Sequence, residues 1–325
     1  MRRARGTKRG FPSESKMVSL FRAETGRRIN FRLNVYKLLL LVKYFGNWPS
    51  IVLNCFVLNL PCVKTSLRHT KGRSRMFEVS RHNIFPLALL QDAGWVFDVG
   101  QKECCARSPK NLFFQVRLST GYDIGHLAEV FLYGVYGSAF DFAGKSVVDV
   151  GGSSGESSIY FAAMGARMVF VLEPDPASYS LCVENIRLNG FEGKIIPLNC
   201  ALTDSDAKVE LSSSRSTPNM NTVTRHRTTV PPGVFDGTTN VQGISLGRLI
   251  AISGLDEFGL LKLDCEGCEY QVVSQLTPDL AARIKTIRME YHKGAEDLLS
   301  KLESLGYVVE THPRVGGIGY LSAHK

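Results

Sequence analysis

Residues 146–165 read SVVDVGGSSGESSIYFAAMG. Ser146–Val150 is short, β-branched and apolar, as expected of a buried strand. Ser157–Met164 has the length and composition of a helix, and a glycine-rich turn separates the two. A ligand-binding turn belongs in this position. The pattern is Asp149-x-Gly151-x-Ser153-x-Gly155. The dinucleotide fingerprint, counted from Gly151, needs Gly at 153 and Gly or Ala at 156, and the chain has Ser153 and Glu156 there.

Strand and helix alternate onward from this turn. Strands are expected at Met168–Leu172, Lys194–Asn199, Leu260–Leu263 and Ile284–Tyr291, with helices at Pro176–Asn189, Tyr270–Leu276 and Ala295–Leu305. Tyr307–Thr311 and Gly319–Ala323 close the chain as a hairpin. Such alternation means βαβ units and a mostly parallel sheet covered by helices on both faces. The expected fold class is α/β, a Rossmann-like sheet of about seven strands with the last pair antiparallel, preceded by a small N-terminal α+β region. The expected domains are a basic arm at 1–32, a helical and β-rich cap at 33–143, and the main domain at 144–325.

Within the cap, helices are expected at Leu33–Phe45, Ser50–Leu60 and Ile124–Val135. Strands are expected at Val63–Leu67, Met76–Ser80, Trp95–Val99 and Leu112–Leu118, with Pro86 among the breakers. Residues 44–63 carry no charge, but Asn47, Pro49, Asn54 and Asn59 interrupt them, so no transmembrane helix is expected. Residues 1–43 hold twelve Lys or Arg against Glu14 and Glu24, a net charge of +10, while the remainder nets −1. The arm reads first as a solvated leader. It also suits peripheral contact with an anionic membrane or nucleic acid. Met17 is an alternative start. No secretory signal follows the arm, so a cytoplasmic protein, peripheral at a membrane at most, is expected. The eight cysteines show no framework and read as reduced thiols. Cys265-x-x-Cys268 lacks the second pair that structural zinc requires, and no metal is assigned.

The turn has chemical content. A pyrophosphate favours bare amides at a helix N-terminus. S-adenosylmethionine has no phosphate and presents an ammonium, a carboxylate and a sulfonium. Asp149 suits a cationic head, and Gly151, Gly152, Ser153 and Gly155 let the backbone approach it. Glu173, followed by Pro174 at the end of the second strand, is placed to take ribose hydroxyls. Asn199 and Ala201 follow the third strand, where an adenine ring would lie.

In order and spacing, VVDVGGSSG (147–155), NCALTDSDAKVEL (199–211), LLKLDCEGCEYQVV (260–273), IRMEYH (287–292) and LGY (305–307) resemble the FkbM-type methyltransferases. The block from Lys262 to Glu269 is the most specific part. The resemblance covers about residues 144–323. It implies a class I methyltransferase fold, S-adenosylmethionine as donor, and O-methylation of a hydroxyl on a sugar, glycan or small metabolite. Ser153 stands where the family usually has Asn.

Asp264 and Glu266 end the fourth strand, and Glu290 and His292 end the fifth on one face. A hydroxyl acceptor needs a base to take its proton. His292 is the first candidate because its ordinary pKa lies near the working pH. Glu290, Asp264 and Glu266 follow as orienting or substrate-binding groups. Glu269 reads as a helix N-terminal acid, and Arg288 as a possible partner of Glu290. The polar stretch Ser212–Asn240 reads as a substrate-covering loop, with Asn221, Arg225 and His226 as contacts.

Other readings are weighed against this one. The basic arm suggests nucleic-acid methylation, but no Asn-Pro-Pro-Tyr-like block follows the fourth strand, and Cys265 lacks the preceding Pro of a cytosine-C5 nucleophile. A non-catalytic module on the same fold would have no reason to keep Asp149, Glu173, Asp264 and Glu290 together. NAD chemistry is disfavoured by the turn.

Overall fold

The computed structural model describes residues 27–68, 76–100, 104–136, 143–214, 218–223 and 235–325. The arm at residues 1–26 and the expected contacts Arg225 and His226 lie outside them. The cap contains β1 (Cys62–Thr65), β2 (Phe77–Ser80), β3 (Val96–Val99), β4 (Cys104–Arg107) and β5 (Phe113–Val116). The main sheet begins with β6 (Ser146–Val150), β7 (Met168–Leu172) and β8 (Ile195–Leu198). Next come β9 (Ala201–Thr203), β10 (Lys208–Ser213), β11 (Thr222–Val223) and β12 (Gly237–Ser245). The last four are β13 (Leu260–Leu263), β14 (Thr286–Tyr291), β15 (Val308–Pro313) and β16 (Gly319–His324).

Seven strands form the main sheet in the order β15-β16-β14-β13-β6-β7-β8. β6 pairs in parallel with β13 and β7, whereas β16 runs antiparallel to both β14 and β15. The α/β sheet with an antiparallel last pair is therefore present. The strand order reverses direction at β6 and β13, which is where a crevice opens beyond the carboxyl ends of such a sheet. All five residues of β6 are buried. Val147 joins one core with Val169 and Ile195, and Val148 and Val150 join the other with Leu261 and Ile287. Two-sided burial is why Val147, Val148 and Val150 occupy both faces of β6 instead of alternating with exposed polar residues.

Cap and sheet share the first of these cores, which runs from Leu41 and Phe45 through Trp95 and Phe131 to Phe161 and Val169. Asn185 of helix Pro176–Leu188 and the C-capping Asn189 reinforce the join. Asn185 Oδ1 accepts from the Gln115 amide at 2.6 Å, and Asn189 Oδ1 from the Phe113 amide at 2.9 Å. They complete the edge of β5 as a partner strand would.

Several expectations are corrected. Residues 81–92 form a helix with Pro86 inside it, capped by Ser80, although Pro86 reads as a breaker. Buried Ile84, Leu87 and Leu90 hold it, so packing overrides local propensity. β4 was not expected. The helix expected over Ser50–Leu60 is a short α-helix, Trp48–Val52, continued as a π-turn over Leu53–Val57. Among the described residues of Ser212–Asn240, both ends and a short middle segment are strand instead of loop: β12 pairs antiparallel with β10 over six residues, and β11 flanks β10. Leu211, Val223 and Val241 form a small buried cluster with Ala201 that anchors these strands, whereas Thr238, Thr239 and Asn240 are exposed, so the polar composition conceals the pairing. No helix among the described residues is long and apolar enough to cross a membrane.

Candidate active site

A cavity of roughly 200 Å³ opens at the carboxyl ends of β6, β7 and β13. Its floor is the turn after β6. Gly151 has φ +76, and a Cβ there would lie 1.8 Å from the carbonyl oxygen of Asp264. A Cβ on Gly152 would lie 2.0 Å from Cγ2 of Val171. Only glycine lets this turn lie flat against its neighbouring strands. Ser153 sits in the left-handed region at φ +46, and its buried hydroxyl has no hydrogen-bond partner. Its amide donates to Glu173 Oε2 at 2.8 Å, and the Asp175 amide donates to Glu173 Oε1 at 2.8 Å. Burial, partly offset by these amides, raises the Glu173 carboxyl to about 7.

The structure distributes the expected cofactor residues over two roles. Gly151, Ser153, Glu173, Pro174, Ala201 and Asp264 line the cavity, and Gly152 lines a smaller one behind it. Asp149 does neither. It is fully buried, accepts from the hydroxyls of Ser157 and Ser158 at 2.6 Å, and pairs with Lys262 Nζ at 2.9 Å. Lys262 also donates to the Gly151 carbonyl at 2.7 Å. Asp149 thus works through a buried ammonium to hold the turn, and the expected direct contact with a cationic ligand head is corrected. Burial works against the Lys262 charge, but Asp149 and Asp264 outweigh it and raise its pKa. The Asn199 amide donates to the backbone carbonyls of Glu173 and Pro174, fixing that loop from outside the cavity wall. Gly155, at φ +92, starts helix Glu156–Ala163 from behind the turn.

The opposite wall gathers Glu266 and Glu290 with Asp264, as expected, and adds two residues that the sequence did not single out. His126 and Glu129 lie three residues apart, on one face of helix Asp123–Ala128 and the π-turn that continues it. Arg117 anchors this segment. Its guanidinium donates to Asp123 at 2.7 to 3.1 Å and to Ser178 Oγ at 3.1 Å. Tyr122 stacks edge-on against the His126 ring, with centroids 5.4 Å apart. Burial lowers the His126 pKa, so the imidazole is neutral at neutral pH. Burial also raises Glu129 and Glu266 to about 7, with the charge of Asp264 adding to both, and raises Glu290 for the same two reasons.

His292 is corrected. It does not line the cavity among the described residues. Its Nδ1 lies 2.8 Å from Glu269 and its Nε2 3.4 Å from Glu266. Burial opposes its charge, but the Glu269 hydrogen bond and the charges of Glu269 and Glu266 prevail and lift it to about 9. A cation with both nitrogens facing carboxylates cannot accept a proton at neutral pH. Glu269 also accepts from the Gly267 amide at 2.9 Å, at the start of helix Cys268–Ser274. Arg288 donates to the Tyr136 carbonyl, and Glu290 forms its ion pair with Arg314, at 3.8 Å. Tyr136, another residue the sequence reading missed, donates to Asp264 Oδ2 at 3.3 Å.

The reduced-thiol expectation is corrected for one pair. Cys265 and Cys268 form a disulfide, their Cα atoms brought to 5.5 Å by the turn through Gly267. Both line the cavity beside Glu266. The β10–β12 insert forms its roof with Leu211, Pro218, Asn221, Thr222 and Val223. Thr222 Oγ1 donates to the Glu266 carbonyl at 2.7 Å, and Asn221 Oδ1 accepts from the Ser214 amide at 2.8 Å. Among the described residues, no group of three or more His, Cys, Asp or Glu is arranged to hold a metal.

Residues 149–309 match the family model described as methyltransferase FkbM domain. No curated protein matches the chain. Among solved structures, a methyltransferase FkbM from Methylobacillus flagellatus KT is 15% identical, with a TM-score of 0.42. That alignment covers 61% of this chain and 48% of that one, so this chain spans about half its length. A precorrin-6y C5,15-methyltransferase from Geobacter metallireducens is 13% identical, with a TM-score of 0.32, over 56% of this chain and 82% of that one. A putative RNA methyltransferase from Pyrococcus horikoshii is 12% identical, with a TM-score of 0.33, over 62% and 83%.

Proposed function

We propose, from the premise that residues 149–309 are a methyltransferase FkbM domain, that this protein methylates a hydroxyl of a sugar, glycan or small metabolite with S-adenosylmethionine as donor. The residues present fit that donor. The glycine floor leaves room for a ligand backbone, the buried Ser153 hydroxyl lacks a partner, and Glu173 lines the cavity with a carboxylate that has further acceptor capacity. Gly151, Ser153 and Asp264 would hold the amino-acid end, Glu173 the ribose hydroxyls, and Cys200, Ala201 and Leu202 the adenine. The donor supplies a methyl group on a cationic sulfur.

The observation that carries the acceptor reading is the placement of His126, whose pKa burial lowers, beside Glu129, Asp264 and Glu290 on one cavity wall. A hydroxyl is a weak nucleophile until a base takes its proton, and a neutral imidazole is suited to that task. Glu129 and Glu290 accept hydrogen bonds from neighbouring hydroxyls when ionised and donate one when protonated. Leu211, Pro218, Thr222 and Val223 of the roof would exclude water and align the acceptor. Among the described residues that line the cavity there is no Lys or Arg to pair with a phosphodiester, which weighs against a nucleic-acid acceptor.

Two measurements test this reading. Calorimetry should show S-adenosylmethionine binding, and mass spectrometry of hydroxylated acceptors incubated with protein and donor should show the gain of one methyl. No donor binding refutes the methyltransferase reading. Methylation confined to amines or RNA refutes the acceptor class.

A further inference from the structure

The first described helix, α1 (Arg27–Tyr44), is apolar on two sides. Leu40, Leu41 and Tyr44 are buried in the cap core. Val35, Leu38, Leu39 and Val42 are between 38% and 60% exposed. Their spacing is i, i+3, i+4, i+7, a single helical face. After the turn that follows α1, Leu53, Val57, Leu58 and Leu60 are again 41–68% exposed. Scattered exposed leucines are ordinary, but a contiguous apolar stripe marks a contact surface.

Charge indicates what covers it. Twelve basic residues against two acidic ones lie in residues 1–43, and Arg27, Arg28 and Arg32 occupy the first turns of α1 itself. We infer that this face docks on an anionic lipid bilayer. The apolar stripe enters the headgroup boundary while the flanking Lys and Arg residues pair with acidic headgroups. A nucleic-acid partner accounts for the charge but not the stripe. A second copy of the chain accounts for the stripe but not a net charge of +10. The helix is not apolar enough to cross the bilayer, so it lies along the surface.

Behind the stripe, the cap-facing side of α1 approaches the main cavity through one shared wall. Tyr36 and Leu40 of α1 line a second cavity of about 270 Å³ with Phe85 and Leu89, and Tyr122 belongs to the walls of both this cavity and the main one. The docking surface stands apart from the methyl-transfer reading, and its test uses no activity.

Full-length protein is sedimented with phosphatidylcholine vesicles, with and without phosphatidylserine, beside the double variant L39E/V42E. Both side chains are exposed, so the melting temperature of the variant should match the parent. Binding is expected only with phosphatidylserine, to weaken with salt, and to fall about tenfold or more in the variant. Parental binding by the variant overturns the inference, because the arm would then act without the face. So does the absence of vesicle binding, whether the protein instead retains RNA or the variant converts a dimer to a monomer in light scattering.

Discussion

On one wall of the cavity, Gly151, Ser153 and Glu173 come from a single strand–helix–strand unit. On the other, His126, Glu129, Asp264, Glu266 and Glu290 come from segments far apart in the chain. The first wall is largely hydrogen-bonded before any ligand arrives. Glu173 already accepts two amides, and Lys262 and Asp149 lock the turn from behind. The second wall holds carboxyls pushed up by burial and by one another, beside a histidine pushed down. On the function proposed above, the contrast is a division of labour: a rigid local cradle for the donor, and an electrostatically strained, non-local surface for the proton and the acceptor.

The largest effect that would break this contrast concerns the cradle. Gly151→Ala places a Cβ against a carbonyl oxygen at a positive φ. It should cost about 3 kcal/mol or more and abolish donor binding, as read by thermal melting and calorimetry. Gly190→Ala has φ +65 but no heavy atom within 4 Å, and should cost only about 1 kcal/mol. Equal costs for the two would mean that the turn does not rest on β13.

Proton transfer gives the next effect. His126→Ala should lower turnover about 100-fold or more while leaving donor affinity within a few fold. His292→Gln should instead cost about 3 kcal/mol of stability, because it leaves Glu269 buried without its cation, and should lower turnover less. The reverse ranking would return the base to the end of β14.

A pH series on the ligand-free protein sharpens the electrostatic half. Glu129, Glu173 and Glu266 hold their protons to about 7 when folded, against an ordinary 4.5, and Glu290 is raised as well. Their stabilising share is complete below the unfolded value and is lost as pH rises through the folded one. His292, raised to about 9 from 6.5, loses its share over the higher window in the same direction. Melting temperature should therefore fall by several degrees between pH 5 and 9, and less steeply in Glu290→Gln. A flat or rising profile would deny the strain.

The smallest effect lies at Ser153. Its hydroxyl has no partner in the ligand-free protein. Ser153→Ala should leave stability unchanged or slightly raised and weaken donor affinity about three- to tenfold, the worth of one hydrogen bond. An unchanged affinity would remove the hydroxyl from the site.

Much of this molecule was legible in the amino-acid order, because its signals were local. The strand before Gly151, the positive-φ glycines, Glu173 at the end of β7 and the Asp264–Glu266 turn each depend on neighbours in sequence, and each lies where periodicity and residue type put it. The residues that tertiary contact decides were not legible in the same way. His126 and Glu129 sit in a short helical segment with no motif around it, and their i, i+3 spacing was the one available signal. Asp149 and His292 carry chemically suitable side chains, yet burial beside Lys262 and Glu269 gives their charges to the scaffold. Periodicity and turn chemistry act over a few residues, whereas desolvation and charge pairing depend on which distant segments meet.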